Sequence, residues 1–138
     1  MLLGSDGYAA LVTSGGGFSV QTRNALLTNP VAVAAGDMDG DRRAEIVASS
    51  KSAPGPNGLQ SGIVYLFRGA MTTVDLADTA ADTAIVGPGP QSAFGSELRV
   101  IDLDGDGVAD ILASAPGALG SRGSVYVIPG VRTTPDLA

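Results

Sequence analysis

Apolar residues along this chain fall in short runs, each closed by glycine, proline or a polar cluster. The runs that predict strands are Glu45 to Ala48, Ile63 to Phe67, Ala84 to Val86, Asp110 to Ala113 and Val125 to Ile128. Tyr8 to Val12 and Phe18 to Val20 form two more near the start. No run keeps a helical period, and turn residues interrupt the pattern throughout. The alanine-rich stretch from Asp75 to Ala84 is the one place where a helical turn is expected. The pattern predicts an all-β chain.

The pattern also repeats. GDMDGDRRAEIVAS (Gly36 to Ser49) returns as IDLDGDGVADILAS (Ile101 to Ser114), offset by 65 residues. Ala53-Pro54-Gly55 returns as Ala115-Pro116-Gly117, offset by 62, and GIVYLFRG (Gly62 to Gly69) as GSVYVIPG (Gly123 to Gly130), offset by 61. Thr72 to Ala77 returns as Thr133 to Ala138. Four blocks in one order define a structural repeat. The whole chain, 1–138, reads as one domain of repeated units. Residues 1–61 form a first, degenerate unit, 62–122 a second, and 123–138 the start of another. About four strands per unit are expected.

Composition sharpens this picture. Twenty glycines and eight prolines among 138 residues suit short strands joined by tight turns. Cysteine and histidine are both absent, which removes thiolate chemistry, a Ser-His-Asp triad and the usual zinc ligands. The net charge is −6, with no basic patch, so a nucleic-acid partner is not expected. No apolar run approaches the roughly 18 residues of a membrane span, and the start at Met1-Leu2-Leu3-Gly4 does not read as a signal peptide.

The acids are concentrated. Eight of the fourteen sit in two nine-residue segments, Asp37 to Glu45 and Asp102 to Asp110. In each, carboxylates occupy positions 1, 3, 5 and 9: Asp37, Asp39, Asp41 and Glu45, then Asp102, Asp104, Asp106 and Asp110. Two such charges about 4 Å apart cost about 4 kcal/mol at an effective dielectric near 20. A hard dication removes that cost, and calcium accepts oxygen donors in a flexible shell. The carbonyl of Val108, at position 7, is an expected extra ligand. An EF-hand is excluded, because position 12 is Ala113 or Ala48 where that motif needs Glu. Without a metal, the segments would be solvated Asp-Gly turns. The first loop carries Arg42 where the second has Gly107, and a positive φ there would cost a non-glycine residue about 1 to 2 kcal/mol.

Phe94-Gly95, DLDGDGVAD, Ala115-Pro116 and GSVYVIPG, in that order, resemble the FG-GAP repeat of integrin α N-terminal propellers and many bacterial extracellular proteins. The departures are Ser52 and Ser114 in place of the glycine of Gly-Ala-Pro, and Asn29-Pro30 in place of Phe-Gly. The resemblance implies four-stranded antiparallel β-propeller blades, about two per chain in a partial ring, with Ca2+ held structurally in the acidic loops. It carries the ligand set to Asp102, Asp104, Asp106, Val108 and Asp110, and to Asp37, Asp39, Asp41, the Arg43 backbone and Glu45. It implies an extracellular or cell-surface parent protein.

Two units cannot close a ring of typically four to eight blades. The expected partners are therefore copies of this chain or the remaining blades of a longer propeller. Closure by about three or four copies would give roughly six or eight blades. The expected role is a non-catalytic scaffold for adhesion or for binding carbohydrate or protein. The alternatives are a non-catalytic piece of a polysaccharide lyase or hydrolase propeller, or an engineered minimal propeller fragment. Tyr8, Tyr65 and Tyr126 occupy equivalent strand positions, which suits packing better than a sugar-stacking row.

Overall fold

The alternating apolar runs do form strands, ten of them among the described residues, laid out as successive antiparallel sheets. The computed structural model describes the strand backbones of residues 2–3, 9–12 and 18–20 and the whole of residues 30–67 and 82–131. The first sheet holds β1 (Leu2–Leu3), β2 (Ala9–Val12) and β3 (Phe18–Val20) in that order. The second holds β4 (Ala32–Gly36), β5 (Glu45–Ser50), β6 (Ile63–Phe67) and β7 (Thr83–Val86) as a four-stranded meander. The third holds β8 (Leu98–Ile101), β9 (Asp110–Ala115) and β10 (Ser124–Ile128), with one helical turn, α1 (Ala118–Ser121), between the last two. The fold is all-β, as the pattern predicts, and its sheets are those of partial propeller blades.

The sequence repeat is also a register repeat. Gly36 faces Glu45 where Ile101 faces Asp110, and Ile46 faces Phe67 where Ile111 faces Ile128. The unit divisions at 61/62 and 122/123 fall between the second and third strands of these two sheets. Of the helical turn expected over Asp75 to Ala84, Thr83 and Ala84 instead belong to β7, which pairs with β6. Residues 75–81 lie outside the described residues.

Period-2 alternation sorts the side chains between faces. All six residues of β5 are buried, so this strand is covered on both sides. Val47, Val64 and Leu66 point toward the third sheet, where they join Leu98, Ile111, Ala113 and Ala115 in one core. Ile46, Ala48, Tyr65 and Phe67 are buried on the opposite face. Of the strands in the second and third sheets, β4 and β8 are absent from the sequence-predicted set. They lie against each other where the sheets come closest. A Cβ on Gly36 would stand 2.5 Å from Val100 Cγ1 and 3.2 Å from Ala109 Cβ. The small residues of β4 serve that approach, and their weak strand propensity is the consequence.

The connection from β7 to β8 clips the two sheets together. Phe94 is buried in the core and meets Tyr126 edge to face, with ring centroids 5.6 Å apart. Its N–H donates to the Ser61 carbonyl at 3.1 Å on one side, and the next N–H, of Gly95, donates to the Ser114 carbonyl at 2.8 Å on the other. The buried Ser49 hydroxyl donates to the Gly95 carbonyl at 2.6 Å. Gly95 has φ +81, and a Cβ there would stand 2.6 Å from Ser49 Cβ. The pair therefore has a division of labour: phenylalanine fills the space between sheets, and glycine lets the backbone turn against Ser49. Tyr126 and Tyr65 sit in packing positions, one half-buried and one buried. Tyr8 lies outside the described residues.

Phe94→Ala is expected to destabilise the chain by about 3 to 5 kcal/mol, the usual range for removing a core aromatic. Denaturant unfolding at fixed calcium measures this. A loss below about 1 kcal/mol would mean that Phe94 does not join the sheets.

Candidate metal-binding loops

Strand alternation puts both acidic segments at the same end of the sheets. One connects β4 to β5 and the other connects β8 to β9. Each closes a hairpin whose strands are in register up to Gly36–Glu45 and Ile101–Asp110. The loops are then shaped by their own carboxylates, which accept hydrogen bonds from the peptide N–H groups of the turn.

The two loops share one hydrogen-bond frame. Asp37 accepts from the N–H groups of Gly40 at 2.7 Å and Arg42 at 2.8 Å. Asp102 accepts from Gly105 at 2.7 Å and Gly107 at 2.9 Å. Asp39 and Asp104 each accept from the residue two further on, at 3.1 Å in both loops. Asp41 takes the Arg43 N–H at 2.7 Å, and Asp106 the Val108 N–H at 2.8 Å. Glu45 reaches back to Met38 at 2.6 Å, as Asp110 does to Leu103 at 3.0 Å. Every bond in one loop has its counterpart 65 residues away.

The sequence-predicted acids are thus brought together, although not all equally. Among the described residues, oxygens of Asp37, Asp39 and Glu45 lie within 4.8 Å of one another, as do those of Asp102, Asp104 and Asp106. Oxygens bound to one calcium at about 2.3 to 2.6 Å can stand no more than about 5 Å apart. Both groups fit that limit, and their donors are hard oxygens of the kind calcium takes. Asp41 stands outside the first group and Asp110 outside the second. Asp110 is buried and spends both oxygens on peptide N–H groups, with Oδ1 accepting from Gly130 at 2.9 Å. Glu45, one methylene longer, keeps its backbone bond and still joins the group. Arg43 is exposed, whereas the Val108 side chain is buried under its loop and anchors it.

The environments differ. The three grouped acids of the second loop are exposed, while Asp37 and Asp39 are half-buried and Glu45 is buried. Burial holds the Glu45 carboxyl above its usual range; the Met38 N–H pulls it down, and Asp39, Asp41 and Asp37 push it up. A raised value favours the neutral acid in the folded chain. Without metal, that contribution to stability is complete below the ordinary carboxylate value and lost as pH rises through the raised one. The glycine question in the first loop is also answered. Arg42 has φ 68, matching Gly107 at φ 85, so the loop forces an arginine into a left-handed conformation.

Sequence reading missed Gly130, whose N–H holds Asp110. A Cβ there would stand 2.5 Å from the Ala109 carbonyl and 2.5 Å from Val108 Cγ1, so the residue is wedged against the loop. Its signal is the closing glycine of GSVYVIPG.

The FG-GAP repeat profile matches residues 94–128, which run from the clip through the second acidic loop to the end of β10. The chain therefore carries an FG-GAP repeat. It is also similar to phosphatidylinositol-glycan-specific phospholipase D from Rattus norvegicus, 33% identical over 106 residues. The same-named protein of Homo sapiens is 33% identical over 107 residues, and that of Dictyostelium discoideum 26% over 114. These matches cover 71% to 72% of this chain but only 12% to 13% of the relatives' length. No helix among the described residues is long and apolar enough to cross a membrane.

Arg42→Gly is expected to stabilise the chain by about 1 kcal/mol: relief of the left-handed strain, about 1 to 2 kcal/mol, less the added freedom of the unfolded glycine. Thermal melts in chelator check this, with Arg42→Ala as the control that keeps the strain. An equal gain in both variants would assign the effect to charge instead of backbone.

Proposed function

We propose, from the FG-GAP repeat at residues 94–128 and the matching acidic loop at residues 37–45, that this chain is a calcium-stabilised propeller scaffold that binds other molecules and performs no catalysis itself. The observation that carries this reading is the shared frame of the two loops. Eight carboxylates are fixed by peptide N–H groups in two equivalent arrangements, and three oxygens converge in each. Such groups repel unless a cation lies among them. Asp37, Asp39 and Glu45 would hold one ion, and Asp102, Asp104 and Asp106 the other. Asp41, the Arg43 carbonyl, the Val108 carbonyl and Asp110 are the remaining donors of the proposed shells. The ion would supply charge neutralisation and a rigid rim.

The non-catalytic reading rests on the same acids. The densest carboxylates belong to the loops, and the chain has neither histidine nor cysteine. The shared name of the relatives belongs to proteins several times longer. We read the matched stretch as an accessory portion of such a protein, placed outside the cell or at its surface. A cavity of about 250 Å³ lies at the opposite end of the sheets, between Pro88, Pro90, Ser92, Leu119 and Tyr126. It is the place where a carbohydrate or peptide group would fit.

The outer face of the third sheet supports a partner. Val125 and Val127 are 67% and 50% exposed, while their repeat counterparts Val64 and Leu66 are 0% and 6% exposed beneath the third sheet. A further sheet of the same kind would cover them, supplied by another copy or by more blades of a longer protein. Contact of this kind is sheet on sheet. Among the described residues the first and third sheets hold three strands each, so joining them would give more than the four strands of a blade.

Asp104→Ala is expected to lower the melting temperature in calcium, with far less effect in excess EDTA. The calcium-dependent part amounts to about 2.7 kcal/mol per site at a hundredfold excess over the dissociation constant. Equal losses under both conditions would rule out an ion at that loop. Native mass spectrometry at micromolar concentration is expected to show closed assemblies of this chain. Monomer alone would leave the other blades of a longer protein as the cover for the third sheet.

A further inference from the structure

Some hydrogen bonds run between the acidic loops instead of within either. The Ala109 N–H of the second loop donates to the Asp37 carbonyl of the first at 2.7 Å. The Val131 N–H, just beyond β10, donates to the Met38 carbonyl at 3.0 Å. Its neighbour Gly130 donates to Asp110 Oδ1 at 2.9 Å, and Met38 in turn donates to Glu45 Oε2 at 2.6 Å. A continuous path therefore leads from one loop's ninth-position carboxylate to the other's, through Gly130, Val131 and Met38. Space reinforces it. A Cβ on Gly130 would meet Ala109 O and Val108 Cγ1 of the second loop, each at 2.5 Å, and Met38 O of the first at 3.0 Å.

We infer that the two loops load their cations cooperatively, with the Gly130–Val131 segment as the linker that transmits the first binding event to the second. The inference rests on the calcium reading above. An ion drawn in by Asp37, Asp39 and Glu45 fixes the peptide groups on either side of Met38. Those groups hold the Ala109 and Val131 N–H donors, so the second loop and the linker are ordered in the same event. An ion entering the second loop then meets a frame whose ordering has already occurred, and binds more tightly. Linkage makes the effect reciprocal: filling the second loop strengthens the first by the same factor. Repulsion between the two ions opposes this coupling, but the four carboxylates of each loop outweigh the charge of its own ion.

Calorimetric titration of calcium into the metal-stripped full chain tests the inference. Asp39→Ala reports the second loop alone, and Asp104→Ala the first alone. The wild-type overall constant for two ions is expected to exceed the product of the two single-loop constants by about fivefold or more. Val131→Pro removes the linker's donor at a position 65% exposed, where the ring meets solvent. In that protein the excess is expected to fall to within about twofold, with Asp39→Ala and Asp104→Ala each introduced beside it to give the reference constants. A wild-type overall constant equal to the product would overturn the coupling while leaving calcium binding intact. No heat in any of these proteins would instead overturn the calcium reading. The wild-type comparison stands whether or not the proline variant folds.

Discussion

Like-charge repulsion is the constraint around which this chain is organised. Each acidic loop concentrates four carboxylates within nine residues, and the fold does not let them spread apart. Peptide N–H groups grip the oxygens, glycines at φ 82 and φ 85 allow the second loop to curl, and Arg42 accepts a left-handed backbone so that the first loop can do the same. In each loop three carboxylate oxygens converge to within 4.8 Å of one another. Convergence of hard oxygens at that spacing matches what a calcium ion requires.

The sheets turn that local constraint into a rim. Because β4–β5 and β8–β9 are equivalent hairpins in equivalent register, their loops emerge side by side at one end of the molecule. The clip at Phe94-Gly95 fixes the relation between the sheets from the other end. Phe94 fills the core, Gly95 allows the close approach to Ser49, and their own N–H groups bond to Ser61, just ahead of β6, and to Ser114 in β9. The two hallmark motifs of the repeat thus act at opposite ends of one hairpin stack. One packs sheets together, and the other presents charge.

Much of this was legible in the sequence. The offset of 65 residues between acidic segments reappears in the side-chain-to-backbone bonds made within each loop, because bonds within a turn depend on local spacing alone. The strands richest in branched residues were equally plain. What escaped was whatever depends on neighbours. β4 reads as a run of small residues, since its composition answers to Val100 and Ala109 across the gap between sheets. The turn Ala118–Ser121 carries positive φ at Leu119, Gly120 and Ser121, which no helical pattern announces. Gly130 looks like a strand terminator until the backbone of the adjacent loop is placed beside it. The different parts played by Glu45 and Asp110 follow from one methylene and one long-range bond, and only the second of these needs three dimensions.

The central claim is that each acidic loop holds one calcium ion. Elemental analysis of the protein after exhaustive dialysis against calcium-containing buffer, with the dialysate as blank, tests it most directly. The account predicts two calcium ions per chain. A content no higher than the dialysate blank would contradict it.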